Sequence, residues 1–310
     1  MTRLYTHPAS HGHRTPDGHP ERIARIEAVE EALYDAGFDA LDRLEAPEVT
    51  DAQLLRVHPQ SHLDALAKAA PASGEIPLDS DTWMSPGTLA AARRAAGGAI
   101  AAVDAVMTGG GNAFVATRPP GHHAEKTQTM GFCLYGNVAA AAKHVMEAHG
   151  LTRVAIVDFD VHHGNGTQDL LWDESRAFLV TSQQMPLWPG TGERSETGAH
   201  GNILNLPLPP HSDGNAMRAI YEAEAFPALE SFDPQLLLIS AGFDAHRADP
   251  LAQLEWETED FVWLTRQLCA IARDHCDGRV VSVLEGGYDL AALADGVAAH
   301  VAVLMEEDPV

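Results

Sequence analysis

Cysteine is scarce in this sequence. Only Cys133, Cys269 and Cys276 occur among 310 residues, and no two of them have CxxC spacing. Three scattered thiols do not indicate a disulfide framework and argue against a zinc site held by thiolates. We therefore expect thiols that line the core or a site in a reducing compartment, which favours a cytoplasmic protein.

Basic residues are also few. The chain has 20 Lys and Arg against 44 Asp and Glu, which gives a formal net charge of −24. Because affinity for nucleic acid depends on basic side chains that neutralise phosphates, this balance argues against a nucleic-acid partner. Cationic substrates would be attracted, yet a solvated, solubilising surface accounts for the same charge. Charge alone names no ligand.

Long apolar segments and linkers are absent. The opening MTRLYTHPASHGHRTPDGHPER has no apolar region of the kind found in export signals, and no run of about 18 uncharged apolar residues occurs. The sequence therefore predicts neither export nor membrane insertion. With 45% hydrophobic content and no low-complexity tract, residues 1–310 are expected to form one domain.

Short apolar runs alternate with long helical patterns. The runs are typical of strands buried on both faces, and they lie at 114–118, 153–160, 177–182, 202–208, 236–244 and 279–287. Helical patterns with capping residues span 85–109, 137–150 and 258–278. This alternation predicts an α/β fold, with an open, mainly parallel sheet flanked by helices in three layers and ligands beyond the carboxyl ends of the strands.

One predicted strand ends in the motif VDFDVHHGNG. Side chains alternate along a strand, so Asp158, Asp160 and His162 should project to one side. Phe159 and Val161 should pack on the other. The motif therefore predicts a cluster of carboxylates and an imidazole at the edge of the sheet.

Three further motifs follow other predicted strands: RPPGHHA, ISAGFDAH and LEGGYDL. All four are expected to converge on one rim of the sheet. Taken singly, each has an ordinary explanation, since an aspartate after a strand is often a helix cap and a tyrosine beside two glycines is often a turn residue. Their common placement favours a shared site.

Together with SHGHRTPDGHPER, GFCLYGNVA, PGTG and GNILNLPLP, these motifs resemble those of the histone deacetylase family over most of the chain. The family includes bacterial deacetylase-like and acetylpolyamine amidohydrolase members. The resemblance implies the arginase/deacetylase-like fold, which agrees with the pattern of strands and helices, and a metal-dependent amidohydrolase.

By this resemblance the metal ligands would be Asp160, His162 and Asp244. Two carboxylates and one imidazole leave coordination positions open for water and a substrate carbonyl, as a catalytic metal site requires. Zinc (Zn2+) is the expected ion. Ferrous iron (Fe2+) stays open, because an oxygen-rich ligand set also suits it.

The resemblance implies roles for a second group of residues. Asp158 would hold His122 as an electrostatic support, and His123, partnered by Asn165, would act as general base and then general acid. Tyr288 would donate a hydrogen bond to the acyl oxygen as that atom becomes an oxyanion.

A narrow acyl channel is also implied. The residues expected to line or flank it are Gly131, Phe132, Trp188, Leu251 and Gly287. For Phe132 and Trp188, ordinary core packing is the alternative.

A structural potassium ion (K+) is expected beside the same strand end. Its ligands would come from Asp158, Asp160, His162, Thr181 and Ser182. Gln183 stands where many bacterial relatives have histidine, which makes its neighbours less certain ligands, and Gly136 replaces a usual asparagine. Four early histidines, His7, His11, His13 and His19, are irregularly spaced among Pro and Gly and are interpreted as loop residues without chemistry.

The expected reaction is removal of an acetyl or other acyl group from an acylated amine by direct attack of water. An acetylated lysine peptide or protein is favoured over an acetylated polyamine, because Leu251 stands where polyamine-preferring relatives can carry glutamate. The alternative of another class is a module that binds acyl-lysine without hydrolysing it. The oligomeric state stays open.

Overall fold

An eight-stranded sheet occupies the middle of the molecule in the computed structural model, which describes residues 1–308. Its strands are β1 (Arg3–Thr6), β2 (Asp42–Glu45), β5 (Asn112–Val115), β6 (Val154–Asp158), β7 (Ala177–Gln184), β8 (Ile203–Leu208), β9 (Leu236–Ala241) and β10 (Val280–Leu284). They lie in the order β2-β1-β5-β10-β9-β6-β7-β8, and every neighbouring pair is parallel. Pro309 and Val310, the end of the domain expected over residues 1–310, lie outside the described residues. Two short strands, β3 (Ile76–Pro77) and β4 (Trp83–Met84), form a separate antiparallel pair.

Ten α-helices occur within residues 1–308. They are α1 (Ile23–Ala32), α2 (Asp51–Leu54), α3 (Gln60–Ala69), α4 (Thr88–Gly109), α5 (Asn137–Ala148), α6 (Asn165–Leu171), α7 (Gly214–Ile220), α8 (Phe226–Phe232), α9 (Thr258–His275) and α10 (Leu290–Glu306). Local capping defines several ends: the Asp289 side chain accepts from the backbone of Ala292 at the start of α10, and α4 stops at Gly110, whose φ is 66°. None of these described helices combines the length and apolar content needed to cross a bilayer.

The sheet is buried on both faces, because neighbouring residues of one strand belong to different cores. On β6, Ala155 and Val157 pack into a core with α1, α9 and α10, whereas Val154 and Ile156 pack into a core with α4 and α5. Helices therefore cover both sides of the sheet. This arrangement confirms the predicted three-layer α/β fold, and each of the six apolar runs overlaps a strand of the central sheet.

The first two strands were not predicted. β1 and β2 have only four residues each, and β2 alternates half-buried and exposed side chains in the sequence DRLE. Such a short, charged segment at the edge of a sheet lacks the continuous apolar run that marks the central strands. The sheet therefore extends two strands further than the sequence pattern indicates.

A buried histidine links α9 and α10 to the sheet and sets one pH dependence of stability. The Thr265 hydroxyl donates to the Phe261 carbonyl, so His300 Nδ1 donates to Thr265 (2.7 Å) while the Ser282 hydroxyl donates to Nε2 (2.9 Å). Both ring nitrogens are used by the neutral form, and burial lowers the pKa of His300 from 6.5 to about 3.

We expect His300→Gln to flatten the acid side of the stability profile. As pH falls below 6.5 the unfolded chain takes up a proton at His300 and the folded chain does not, so the folded state loses stability between pH 6.5 and about 3. Between pH 7.5 and 5 the wild type should lose about 2 kcal/mol more than the variant, measured by urea unfolding. Equal losses in both proteins would contradict a neutral buried His300.

Candidate active site

Four neighbouring strands bring the four motifs together. In the sheet order β5-β10-β9-β6, each carboxyl end runs directly into one motif: RPPGHHA, LEGGYDL, GFDAH and DFDVHHGN. Because parallel strands end at the same edge, their following loops share one rim. The predicted convergence on one rim is therefore observed.

The centre of this rim is formed by Asp160, His162 and Asp244. His162 Nδ1 lies 3.2 Å from Asp160 Oδ1 and 3.1 Å from Asp244 Oδ2, and one ligand atom from each residue lies within 4.8 Å of the others. Both aspartates are fully buried. Burial lowers the pKa of His162, but hydrogen bonds to the two carboxylates outweigh it and raise that pKa to about 10.

This donor set fits a divalent cation. Burial, together with the negative charge of Asp160, raises the pKa of Asp244 to about 7, so the pair resists holding two negative charges without a compensating cation. Two carboxylate oxygens and one imidazole nitrogen are ligands that zinc and ferrous iron both accept. Glycine is needed beside them, since a Cβ on Gly286 would lie 2.2 Å from Asp244 Oδ2.

A second group of potential ligands lies between α4 and α5. His144 Nε2 and His149 Nε2 both lie 2.7 Å from Asp104 Oδ1. The Arg56 guanidinium donates to His144 Nδ1 (2.6 Å), so the Nε2 of His144 carries the proton that it donates to Asp104. The three side chains thus satisfy one another's hydrogen bonds, and the Arg56 guanidinium already supplies a positive charge beside them. We assign this cluster no metal.

His122 lies between two carboxylates. Its Nδ1 lies 3.0 Å from Asp158 Oδ2, and its Nε2 lies 3.7 Å from Asp160 Oδ2. Burial opposes protonation, but the negative charges of Asp160 and Asp158 outweigh it and hold the pKa of His122 well above its ordinary value. These carboxylates thus favour the charged form of His122.

His123, the next residue, has a pKa that is shifted in the opposite direction. Its ring lies 3.9 Å from that of His122, and burial together with the positive charges of His122 and His162 holds its pKa well below the ordinary value. Its Nδ1 lies 2.7 Å from Asn165 Oδ1. The pKa values of these neighbouring histidines are therefore shifted in opposite directions, which favours a charged His122 and a neutral His123.

Tyr288 stands at the turn after β10. The backbone of this turn is held by Asp249, which accepts from Tyr288 N (2.7 Å), and by Arg25, which donates to the carbonyls of Glu285 and Gly287 (2.6 Å each). The Arg25 guanidinium lies 4.9 Å from the centre of the Tyr288 ring. Burial raises the pKa of Tyr288 well above its ordinary value, so its hydroxyl stays a hydrogen-bond donor.

A cavity of about 230 Å³ leads from the surface to this centre. Four expected channel residues line it: Gly131, Phe132, Trp188 and Leu251. Trp188 is 40% exposed and its ring lies 4.7 Å from that of His123, so it forms part of the channel wall instead of the core. Gly287 does not line the cavity; its carbonyl accepts from Arg25, and it packs beside Leu293 and Phe243.

The channel wall depends on an unusual turn. Gly131 and Phe132 have φ of 56° and 69°, and their backbone amides donate to Asp81 Oδ1 and Thr82 Oγ1 (3.1 Å each). A Cβ on Gly131 would lie 2.3 Å from the His123 ring, so only glycine permits this approach. Asp81 therefore both holds the turn and lines the channel, a role that the sequence alone did not indicate.

The expected potassium ligands lie at the ends of β6 and β7. Asp158 and Thr181 are paired in register, while the Ser182 hydroxyl is hydrogen-bonded to Tyr221 (2.8 Å). Gln183 donates to the carbonyl of Gly192 (2.7 Å), so this unusual residue anchors the PGTG loop. The potassium ion itself stays a prediction.

Gly136, the other departure, is the N-cap residue of α5. A Cβ there would lie 2.4 Å from Leu170 Cδ1, which makes packing against α6 a sufficient reason for its small size. The early histidines contact separate partners: His11 contacts Glu30, His13 contacts Thr88, and His19 contacts the carbonyl of Asp81.

A network of three buried charged residues, Glu21, Arg25 and Arg118, was missed by the sequence reasoning. Glu21 accepts from Arg25 (3.1 Å) and from both sides of the Arg118 guanidinium, and all three side chains are 0 to 1% exposed. Glu285 was missed as well; its Oε2 accepts from the backbone of Gly121 (2.7 Å) and of His122. These residues hold the loops that carry His122 and Tyr288.

Comparison with known proteins gives one consistent result. The model of the histone deacetylase domain matches residues 19–304. Histone deacetylase 14, chloroplastic, from Arabidopsis thaliana is 38% identical over 98% of this chain and 77% of its own length. The histone deacetylase-like amidohydrolase of Pseudomonas aeruginosa is 38% identical over 92% of this chain and 74% of its own. The crystal structure of the HDA15 HD domain superposes with a TM-score of 0.93 at 32% identity, covering 100% of this chain and 89% of that one.

Proposed function

This chain belongs to the histone deacetylase family and is a deacetylase-type hydrolase, and from that premise we propose that it removes acetyl groups from acylated lysine side chains in a zinc-dependent reaction. The observation that carries the proposal is the convergence of Asp160, His162 and Asp244 at the inner end of an apolar channel. The channel is suited to the uncharged, extended arm of an acyl-lysine.

Asp160, His162 and Asp244 would hold the ion. When bound, Zn2+ supplies Lewis acidity towards the acyl carbonyl and the attacking water, and Fe2+ in the same ligand set would supply similar chemistry. Asp160 and Asp244 are themselves held in place, because Gly286 N donates to Asp160 Oδ2 (2.8 Å) and Val161 N donates to Asp244 Oδ1 (2.9 Å).

The protein's own groups then divide the proton chemistry. Neutral His123 accepts a proton from the attacking water and returns it to the leaving amine. The His122–Asp158 pair contributes a fixed positive charge beside the negative charge that develops, and Tyr288 donates its hydroxyl hydrogen to the acyl oxygen. Trp188 and Phe132 exclude bulk water from the reacting atoms.

The residues that line the channel bear on the choice between two substrate classes. Leu251 gives the channel an apolar wall, which favours a lysine side chain over a cationic polyamine. The second candidate is an acetylated polyamine, favoured by Asp81 at the channel and by the net charge of −24. Against a channel that binds acyl-lysine without turnover stand the two histidine pairs, His122 with Asp158 and His123 with Asn165, because binding alone requires no proton acceptor.

We expect purified, metal-loaded protein to hydrolyse acetyl-lysine peptides with a kcat/KM more than tenfold above that for acetylated putrescine or spermidine. Longer acyl-lysines belong in the same competition, and a chelator should abolish all turnover, with recovery on zinc addition. A polyamine preference above tenfold would replace the first substrate by the second. Persistent inactivity of the metal-loaded protein towards every substrate would favour the non-catalytic binder.

The proposal also covers the domain organisation, the cellular setting and a structural ion. We assign the chain one catalytic domain, since strands from residue 3 to residue 284 join one sheet. Three free, buried cysteines support a reducing, cytoplasmic setting. A structural potassium ion beside Asp158 and Thr181 is kept as part of the proposal.

A further inference from the structure

Behind the His123–Asn165 pair lies a third side chain, Glu125. Asn165 Nδ2 donates to Glu125 Oε1 at 2.8 Å and to Met130 Sδ at 3.3 Å, while Asn165 Oδ1 lies 2.7 Å from His123 Nδ1. Asn165 is 5% exposed and Glu125 is half-buried. The three residues form a chain from the surface to the reacting centre.

The order of donors along this chain is fixed by chemistry. A carboxylate only accepts hydrogen bonds, so the atom of Asn165 that faces Glu125 must be its amide nitrogen. The amide oxygen of Asn165 then faces His123 Nδ1, and an amide oxygen can only accept. His123 must therefore carry its proton on Nδ1, which leaves the lone pair on Nε2 for the substrate side.

Without Glu125, no acceptor as strong as a carboxylate would hold the Asn165 amide in this orientation. An asparagine side chain flipped by 180° presents its NH₂ to His123 and donates to Nδ1. Nδ1 must then accept, which favours the tautomer with the proton on Nε2. That tautomer cannot accept a proton from water. Met130 Sδ is a weak acceptor and holds the amide less firmly than a carboxylate does.

We infer that Glu125 is a positioning residue that fixes the amide orientation of Asn165 and, through it, the Nδ1–H tautomer of His123. The inference deepens the proposed function and rests on it for the role of His123 as general base. It is independent of which acyl substrate the enzyme prefers.

The direct test is the tautomer itself. Nitrogen-15 NMR of histidine-labelled protein, with the His123 signal assigned from a His123→Asn variant, distinguishes the two neutral tautomers. Wild type and Glu125→Gln should show Nδ1–H at His123, because glutamine still offers an acceptor oxygen to Asn165. Glu125→Ala should show a mixture containing Nε2–H. An unchanged Nδ1–H tautomer in Glu125→Ala would overturn the inference.

Kinetics provide the second test. Glu125→Ala should lower kcat roughly 10-fold with little change in KM, the size expected for losing one charge-assisted hydrogen bond, and Glu125→Gln should recover most of it. Glu147→Ala removes a similar carboxylate, which pairs with Arg176 at the surface, and should be silent. A Glu125→Ala variant with wild-type kcat would contradict the positioning role.

A double substitution tests the direction of the hydrogen bond. Asn165→Asp places two carboxylates where the 2.8 Å contact lies, so it should lower kcat further than Glu125→Ala does. Adding Glu125→Gln to it supplies an NH₂ donor to the new aspartate and should restore activity above that of Asn165→Asp alone. Additive losses in the double variant would contradict the coupling.

The two tests separate this inference from the proposed function. If the tautomer shifts in Glu125→Ala while wild type hydrolyses no acylated amine, the positioning role stands and the deacetylase assignment fails. If wild type is active and the tautomer does not shift, the deacetylase assignment stands and the role of Glu125 fails.

Discussion

Changing Asp244 to asparagine is expected to leave the protein folded but without its metal ion and without measurable turnover. The substitution keeps the shape of the side chain and an oxygen to accept from Val161 N, while it removes one of three anionic or imidazole ligands. A site with one good ligand fewer binds the ion far more weakly. The metal content measured by elemental analysis should fall from about one ion per chain to below about a tenth of an ion, and kcat/KM should fall by roughly 10³ or more.

An asparagine substitution tests the metal ligands more directly than an alanine substitution, because alanine also removes hydrogen bonds to the backbone. At the other aspartate, for example, Asp160 Oδ1 and Oδ2 accept from the backbone of His162 and Gly286, so Asp160→Ala should lose both metal and local order. Asp104→Asn is the matched control, since Asp104 lies in the other carboxylate–histidine group and should retain full metal content and activity. One zinc per chain retained in Asp244→Asn would show that the ligand assignment is wrong.

Replacing Tyr288 by phenylalanine should lower kcat by roughly 10²–10³ while metal content and KM change little. Within residues 1–308 the Tyr288 hydroxyl makes no hydrogen bond to the protein, so its removal breaks no structural contact. The ring keeps its contacts with Arg25 and with Phe132, whose centroid lies 5.8 Å away. The loss therefore falls on the developing oxyanion, which is stabilised more in the transition state than in the ground state.

The readout for this variant is steady-state kinetics beside metal analysis and melting temperature. A fall of less than about fivefold in kcat, with zinc and fold intact, would remove Tyr288 from the mechanism. That result would favour the alternative of a protein that binds acyl-lysine without hydrolysing it. Phe132→Leu is a useful comparison, because it alters the same channel wall without touching the hydroxyl. Its effect should appear mainly in KM.

The central sheet was predictable because a strand that is buried on both faces consists of a continuous run of apolar residues. The rim was predictable because parallel strands end together, so Asp160 and Asp244 could be joined although they are 84 positions apart. β1 and β2 escaped prediction, because each has only four residues and neither has a continuous apolar run; β2 is in addition a charged strand at the edge of the sheet.

The supporting residues of the site were not predictable by the same means. Arg25 and Glu285 carry charge, and charge in a sequence normally indicates solvent exposure. Their burial depends on partners far along the chain: Arg25 donates to a carbonyl 262 positions away, and Glu285 accepts from an amide 164 positions away. Glu125 lies in the polar stretch HHAEKTQT, where nothing in the pattern separates it from its solvated neighbours.

The Glu21–Arg25–Arg118 network makes the first turns of the chain part of the energetics of catalysis. Arg25 donates to two carbonyls of the turn that carries Tyr288, and Glu21 accepts from Arg25, so the proposed oxyanion donor keeps its place only while residues 21–25 stay docked. With Tyr288 in its proposed role, local opening of that segment should lower activity without disturbing Asp160, His162 and Asp244, the residues proposed to hold the metal. Native-state amide exchange in α1 would then report on catalytic competence.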